Sequence, residues 1–484
     1  MAGASVEAAA VPAGAGQPPA GSRAGAPSRA SSATRALRRG VALRVAELRA
    51  DAARMAAVRD VWMALWSSRL LVLAGGVGTV LAFGFGPVRG AFNPPGVTRG
   101  FGTVGDLLAA PVARWDSAWY LVISHYGYRP ELGHVTAART AFFPLYPLGI
   151  RALSWLGSPA ILAGVLISVA AFAAGLYGIH RLTTLELGRG AGVVGSSRAP
   201  QAARLAVLAT AFAPMAFFFS AVYSESLYLA LSVGLFWAAR QGRWALTGLL
   251  GALAAATRSA GLVLLVPALI IYLYGPREDR AADWLRVGRA RLLPAYRPRR
   301  GMLWLAIIPV GALAFSLGLA LVGGDALAPL RAQAVWGRHF TGPYVAVWDG
   351  ARAAFEGARQ LLSFQRAHVY FPEATGSPTV AAGHNLIQFA FLAAAVPALV
   401  WALRRLPVAY GAYAIAALAL PLSEPVRGQP LMSVPRFLVV LFPLSIAAGG
   451  WLADHRRARI PLLALSATAM VVFGAQFATW HWVA

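Results

Sequence analysis

The sequence predicts an all-α polytopic membrane protein, and three observations predict it. The chain is 58% hydrophobic and 13% charged, with a mean hydropathy of +0.60, whereas water-soluble domains carry about a quarter charged residues. Apolar runs long enough to cross a bilayer, which takes roughly 20 residues, recur from residue 66 to residue 482. The arginines gather in short stretches between those runs, the pattern that sets membrane topology.

Residues 1–33 are Ala, Gly, Pro and Ser with little to bury, and read as a disordered tail. They lack the basic-then-apolar order of a signal peptide. Over 34–61, Leu37, Val41, Val45, Leu48, Ala52, Met55 and Val58 recur at helical spacing among arginines. This is the pattern of an amphipathic helix lying on an anionic membrane face. A multi-span domain over 62–484 follows, with spans near 66–87, 158–181, 203–221, 225–240, 244–258, 260–275, 302–323, 382–403, 406–422, 436–452 and 460–482. The short pair at 244–275 also fits a helical hairpin, so the count is about eleven.

Arginine placement orients the set. The first 60 residues hold nine arginines and 276–300 holds eight, with further groups at Arg404–Arg405 and Arg456–Arg459. Placing these inside a cell membrane puts the N-terminus in the cytoplasm and the loops 88–157, 222–226, 324–381 and 423–435 outside. No repeat of 20–50 residues and no inverted symmetry is visible.

Composition also excludes chemistry. There is no cysteine, hence no disulfide, thiolate nucleophile, Cys-bound zinc or iron–sulfur cluster. All 43 basic residues are arginine, so no P-loop lysine or Schiff base is available. Such usage points to a GC-rich bacterial genome. The +25 net charge lies in loops between spans, which argues against a nucleic-acid partner. His125, His134, His339 and His368 are scattered, and neither a metal site nor a cofactor is expected.

The candidate chemistry lies in the outer segments. Of eighteen acids, nine fall inside by this topology, among them Asp60 and Glu186, and read as solvated or paired surface charges. Outside stand Asp106, Asp116, Glu131, Glu225, Asp325, Asp349, Glu356, Glu373 and Glu424, with Asp349 and Glu356 in an Arg-spaced helical stretch. In "RWDSAWYLVISHYGY", 114–128, Asp116 is flanked by Arg114, Trp115, Trp119 and Tyr120, residue types of the membrane–water boundary. A partly desolvated carboxylate there can accept a proton from a hydroxyl; equally, it can pair with Arg114 and fix a loop. "FFPLYPLGI", 142–150, carries Tyr146 between two prolines and marks either a rigid return into the membrane or a plain helix start. In "YSES", 223–226, Ser224 caps a helix with Glu225 in its first turn, or Glu225 meets substrate. Arg258 and Arg436 each sit at the outer end of a span, where arginine must find an anion: a bidentately held lipid phosphate, or headgroups reached by snorkelling. Pro267 and Pro443 follow them and are placed to bend the helices and open a lateral gap.

Taken in order, "RWDSAWYLVISHYGY", "FFPLYPL", "YSESLYLALS", "ATRSAGLVLLVPAL" and "VPRFLVVLFPL" resemble the GPI mannosyltransferase II (PIG-V) family, its bacterial branch most nearly, over about 62–452. The resemblance implies a GT-C glycosyltransferase: a polytopic enzyme whose outer loops carry short helices, using a polyprenyl-phosphate sugar as co-substrate. It makes Asp116 the matching catalytic acid, without an adjacent second acid; Asp106 and Glu131 are ten and fifteen residues away. The implied reaction is inverting transfer of a mannosyl or related hexosyl group to a hydroxyl of a glycolipid, glycan or protein. Asp116 is the base, and Arg114, Trp115, Trp119, Tyr120, Tyr146, Glu225, Arg258 and Arg436 are the substrate-binding candidates. A lipid or glycan transporter without catalysis is the alternative, disfavoured by span centres that hold almost no acids.

Overall fold

The computed structural model describes residues 29–87, 90–128, 138–188, 198–282, 293–322, 324–367, 369 and 377–483, with 29–50 as backbone alone. Of the expected tail at 1–33, residues 1–28 lie outside the described residues, as do Glu131 and Glu373, and 29–33 are helical rather than disordered. The chain divides after Ala56 into two compact units. The expected boundary at 61/62 falls inside helix α1, which runs Arg29–Phe83.

The protein is an all-α polytopic membrane protein, with no strand among the described residues. Among the described residues, five stretches are long and apolar enough to cross a bilayer: Asp51–Phe83, Ala160–Gly188, Arg300–Leu321, Pro378–Arg405 and Arg456–Ala478. Each of the eleven expected spans falls on helix, but several are short or broken. In chain order α2 (Gly102–Ala109), α3 (Ser117–Tyr126) and α4 (Leu145–Trp155) occupy the first long loop. Then come α5 (Ala160–Gly188), α6 (Ala199–Ala211), α7 (Glu225–Arg240), α8 (Trp244–Ala255), α9 (Leu265–Tyr274) and α10 (Val310–Leu321). The chain continues with α11 (Pro343–Leu362), α12 (Pro378–Arg405), α13 (Val408–Leu422), α14 (Val434–Val439), α15 (Phe442–Asp454) and α16 (Arg456–Ala478).

The expected span at 203–221 breaks because Pro214 has no N–H and keeps the residue before it out of the helix. α6 therefore stops at Ala211, and only a 3₁₀ turn at Ala216–Phe219 follows. Carbonyls freed inside a membrane need partners, and the buried Arg69 of α1 supplies them. Its guanidinium donates to Ala216 O at 2.6 Å, Ser220 Oγ at 2.8 Å and Ala211 O at 3.1 Å. The expected span at 436–452 breaks likewise into α14 and α15. Pro443 opens α15, and Pro267 stands in the first turn of α9 after a 3₁₀ turn at Ser259–Leu264. Both prolines begin helices rather than bend them, contrary to expectation.

Small residues let the helices approach closely, as in other membrane bundles. A Cβ on Gly449 of α15 would lie 2.5 Å from the Ala202 carbonyl of α6. Two acids expected at the surface are buried instead. Glu186 takes Arg240 Nε at 2.5 Å and Tyr410 Oη at 2.8 Å, and Asp60 lies 3.6 Å from His180 Nε2. A buried charge is tolerated only when paired, and α7 carries one at each end: Glu225 opens it and Arg240 closes it.

Candidate active site

Asp116 is delivered by a strained turn. Trp115 adopts φ +54, a region that bulky residues avoid, and two hydrogen bonds hold it. The Asp116 N–H donates to Tyr223 Oη at 3.0 Å, and the Tyr223 hydroxyl donates to Arg114 O at 3.1 Å. Asp116 stands at the N-cap position of α3 without capping it. Its carboxylate turns to Arg436 Nη1 at 2.7 Å, not to Arg114.

Glu225 is the first residue of α7, and its side chain is 1% exposed. Its Oε1 lies 2.7 Å from Arg258 Nη1 and 3.1 Å from Arg436 Nε. These contacts are ionic rather than aligned hydrogen bonds. Ser224 precedes Glu225 at the N-cap position, but its hydroxyl goes to Tyr120 Oη at 2.8 Å instead of capping α7. The charges thus alternate along one chain, Asp116–Arg436–Glu225–Arg258, built from four separate segments. Aromatic faces cover the cations: Arg436 lies over Phe218, Tyr223 and Phe437, and Arg258 over Phe437.

The other candidates form walls. Trp119 stacks on Phe142 at 5.8 Å. Tyr120, its hydroxyl pushed up to about 12 chiefly by burial, stays a neutral donor at ordinary pH. Tyr146 meets the Tyr120 ring edge-on, but its own hydroxyl is taken up by Gly164 O and Ser168; the "FFPLYPL" segment is a helix start, with Pro144 just before the first residue of α4. Arg114 lies apart from the ion-pair chain. It donates to Ala478 O at 3.2 Å and sits 4.8 Å over Trp480; burial lowers it to about 10, so it remains a cation at neutral pH. Trp115 packs against Trp480 and Trp482.

Sequence reasoning missed these two tryptophans and Arg338. Arg338 grips Glu424 O and Met432 O at 3.0 and 3.2 Å, tying the 324–381 loop to the turn before Arg436. Burial and the nearby Arg436 charge lower it to about 10, against the opposing pull of Glu424 and Asp116. The aromatic run "TWHWV", 479–483, was the one visible hint of the first pair. Asp106, a candidate second acid, instead accepts the N–H groups of Gly100 and Phe101. Among the described residues, the second carboxylate of the cluster is Glu225.

Residues 91–272, which hold Asp116, Tyr120, Glu225 and Arg258, match the family model described as Mannosyltransferase (PIG-V). Over that segment the chain is similar to the PIG-V mannosyltransferases. Two relatives carrying the printed name GPI alpha-1,6-mannosyltransferase 2 are similar to part of this chain. That of Rattus norvegicus is 33% identical over 190 residues, covering 36% of this chain and 34% of the relative. That of Mus musculus is 32% identical over 192 residues, covering 36% and 35%. The match thus spans about a third of the length of these relatives, and Arg338 and Arg436 fall beyond the family segment. No solved structure matches the chain.

Proposed function

We propose that the protein is a membrane glycosyltransferase moving a mannosyl or related hexosyl group from a polyprenyl-phosphate sugar to a hydroxyl acceptor. The observation that carries the reading is the Asp116–Arg436–Glu225–Arg258 chain, three of whose four members lie within the PIG-V-like segment.

The acceptor oxygen attacks the anomeric carbon as its proton passes to Asp116, and the bond from that carbon to the phosphate oxygen breaks. The leaving group is already a phosphate, so it needs charge stabilisation rather than a strong acid. Arg436, and Arg258 beside it, supply that charge, and bidentate arginine suits a phosphate. Arg436 holds Asp116. A donor phosphate competes for the same guanidinium, so its arrival frees the carboxylate for the acceptor. With the arginine-rich loops taken as cytoplasmic, this site lies on the outer face of the cell membrane, and the acceptor is a glycolipid, glycan or protein hydroxyl.

The test is detergent-solubilised protein given polyprenyl-phosphate mannose and a hydroxyl acceptor. Wild type transfers sugar in one compartment, which a transporter has no means to do. Asp116→Asn should fold and transfer none; transfer at the wild-type rate by that variant removes Asp116 from the mechanism.

A further inference from the structure

Helix α11 lies in the 324–381 loop and belongs neither to a span nor to the ion-pair chain. Its 20 residues sort into three sectors, taking about 100° per residue. Ala346, Gly350, Ala353, Ala354 and Gly357 share one sector, and all are buried. A Cβ on Gly350 would strike the Leu431 side chain, and one on Gly357 would lie 2.8 Å from the Ala382 carbonyl of α12. Tyr344, Trp348, Phe355 and Leu362 share the next sector and are 65% to 76% exposed. Asp349, Arg352, Glu356 and Arg359 fill the third, with Arg352 and Glu356 paired at 2.9 Å.

A helix surrounded by protein and water buries its large apolar residues. This one turns them outward and gives its alanines and glycines to the protein. The outward stripe needs an apolar neighbour, while the charged sector beside it needs water. A lipid–water boundary meets both demands at once. The supporting helix α12 is itself long and apolar enough to cross a bilayer, and its Val380, Ile387, Val396 and Val400 are exposed, as a lipid-facing surface requires. Tyrosine and tryptophan also favour that depth.

We infer that α11 is an interfacial helix whose Tyr344–Leu362 stripe is seated in the bilayer, with lipid as its partner. Through Gly350 it also braces Leu431, five residues before Arg436. The inference stands apart from the proposed chemistry.

The Cys-free chain makes the test direct. Ala351→Cys and Phe355→Cys, in the apolar sector, and Arg352→Cys, in the charged one, each carry an environment-sensitive fluorophore. The protein is reconstituted in nanodiscs of phosphatidylcholine and phosphatidylglycerol. Lipids bearing a nitroxide near the glycerol should quench the 351 and 355 probes at least about threefold more than the 352 probe, as suits a face ~5–10 Å deep. Aqueous iodide should show the reverse order. Equal iodide quenching at all three positions overturns the inference. So does shielding of 351 and 355 from both quenchers, the pattern of a protein partner or a second copy. Ala351→Cys leaves every aromatic in place, so that probe decides if Phe355→Cys does not fold.

Discussion

Replacing Glu225 by alanine tests how far the ion-pair chain depends on its middle member. The carboxylate is buried between two guanidinia, at 2.7 and 3.1 Å. Arg436 retains Asp116 after the change, but Arg258 keeps no other carboxylate within 4 Å among the described residues. The cost therefore falls mainly on Arg258, a mostly buried cation left without its anion. Breaking such a pair costs about 3–5 kcal/mol, or roughly two to three and a half orders of magnitude in the folded-to-unfolded ratio. Thermal denaturation of the solubilised protein, followed by loss of the monodisperse species, reads this out. The double variant Glu225→Ala/Arg258→Ala removes both charges and should recover about 1–3 kcal/mol. Two results refute the reasoning: a Glu225→Ala protein within about 0.5 kcal/mol of wild type, or a double variant no more stable than the single one.

Arg69→Met should destabilise the protein by about 1–3 kcal/mol for each carbonyl it leaves unsatisfied at the α6 break, with Arg69→Lys recovering part; a denaturation midpoint equal to wild type would show that water or another group serves those carbonyls. Cysteines at the exposed positions Thr103 and Ser377 should react with a membrane-impermeant thiol reagent on intact cells, while one at Arg457 should not. The opposite pattern inverts the orientation and, with it, the side assigned to Asp116. Ser117 beside Asp116 is unsuitable for such labelling because it is wholly buried.

Helix positions were legible because a bilayer imposes one demand, apolar length, on every span. Where helices stop was less so: Pro214 breaks one expected span, and the partner that makes the break tolerable is Arg69, 142 residues away from Ala211. Asp116, Glu225, Arg258 and Arg436 were each conspicuous as charges beside apolar runs. Their pairing was not, since a local reading offers Asp116 its neighbour Arg114 rather than Arg436, 320 residues on. The same locality misplaced Glu186 at the surface, because nothing near it in sequence announces that Arg240 and Tyr410 enclose it. α11 shows the converse case: its three sectors are written within 20 residues, yet which sector faces protein is known only once α12 is in place.

The contact of Arg114 with Ala478, and of Trp115 with Trp480, has a consequence for biosynthesis. The first pair is separated by 364 residues, which a ribosome adding about 5–20 residues per second takes roughly 20–70 s to cover. Over that interval the strained turn at Trp115 exists without the arginine and indole packing that closes around it, and Asp116 exists without Arg436. A nascent chain holding all of α3 through α13 therefore lacks both Arg436 and the Trp480 contact. The ion-pair chain and the packing around Trp115 are completed only as α14 and the end of α16 arrive, so this end of the molecule is the last to acquire its charges' partners.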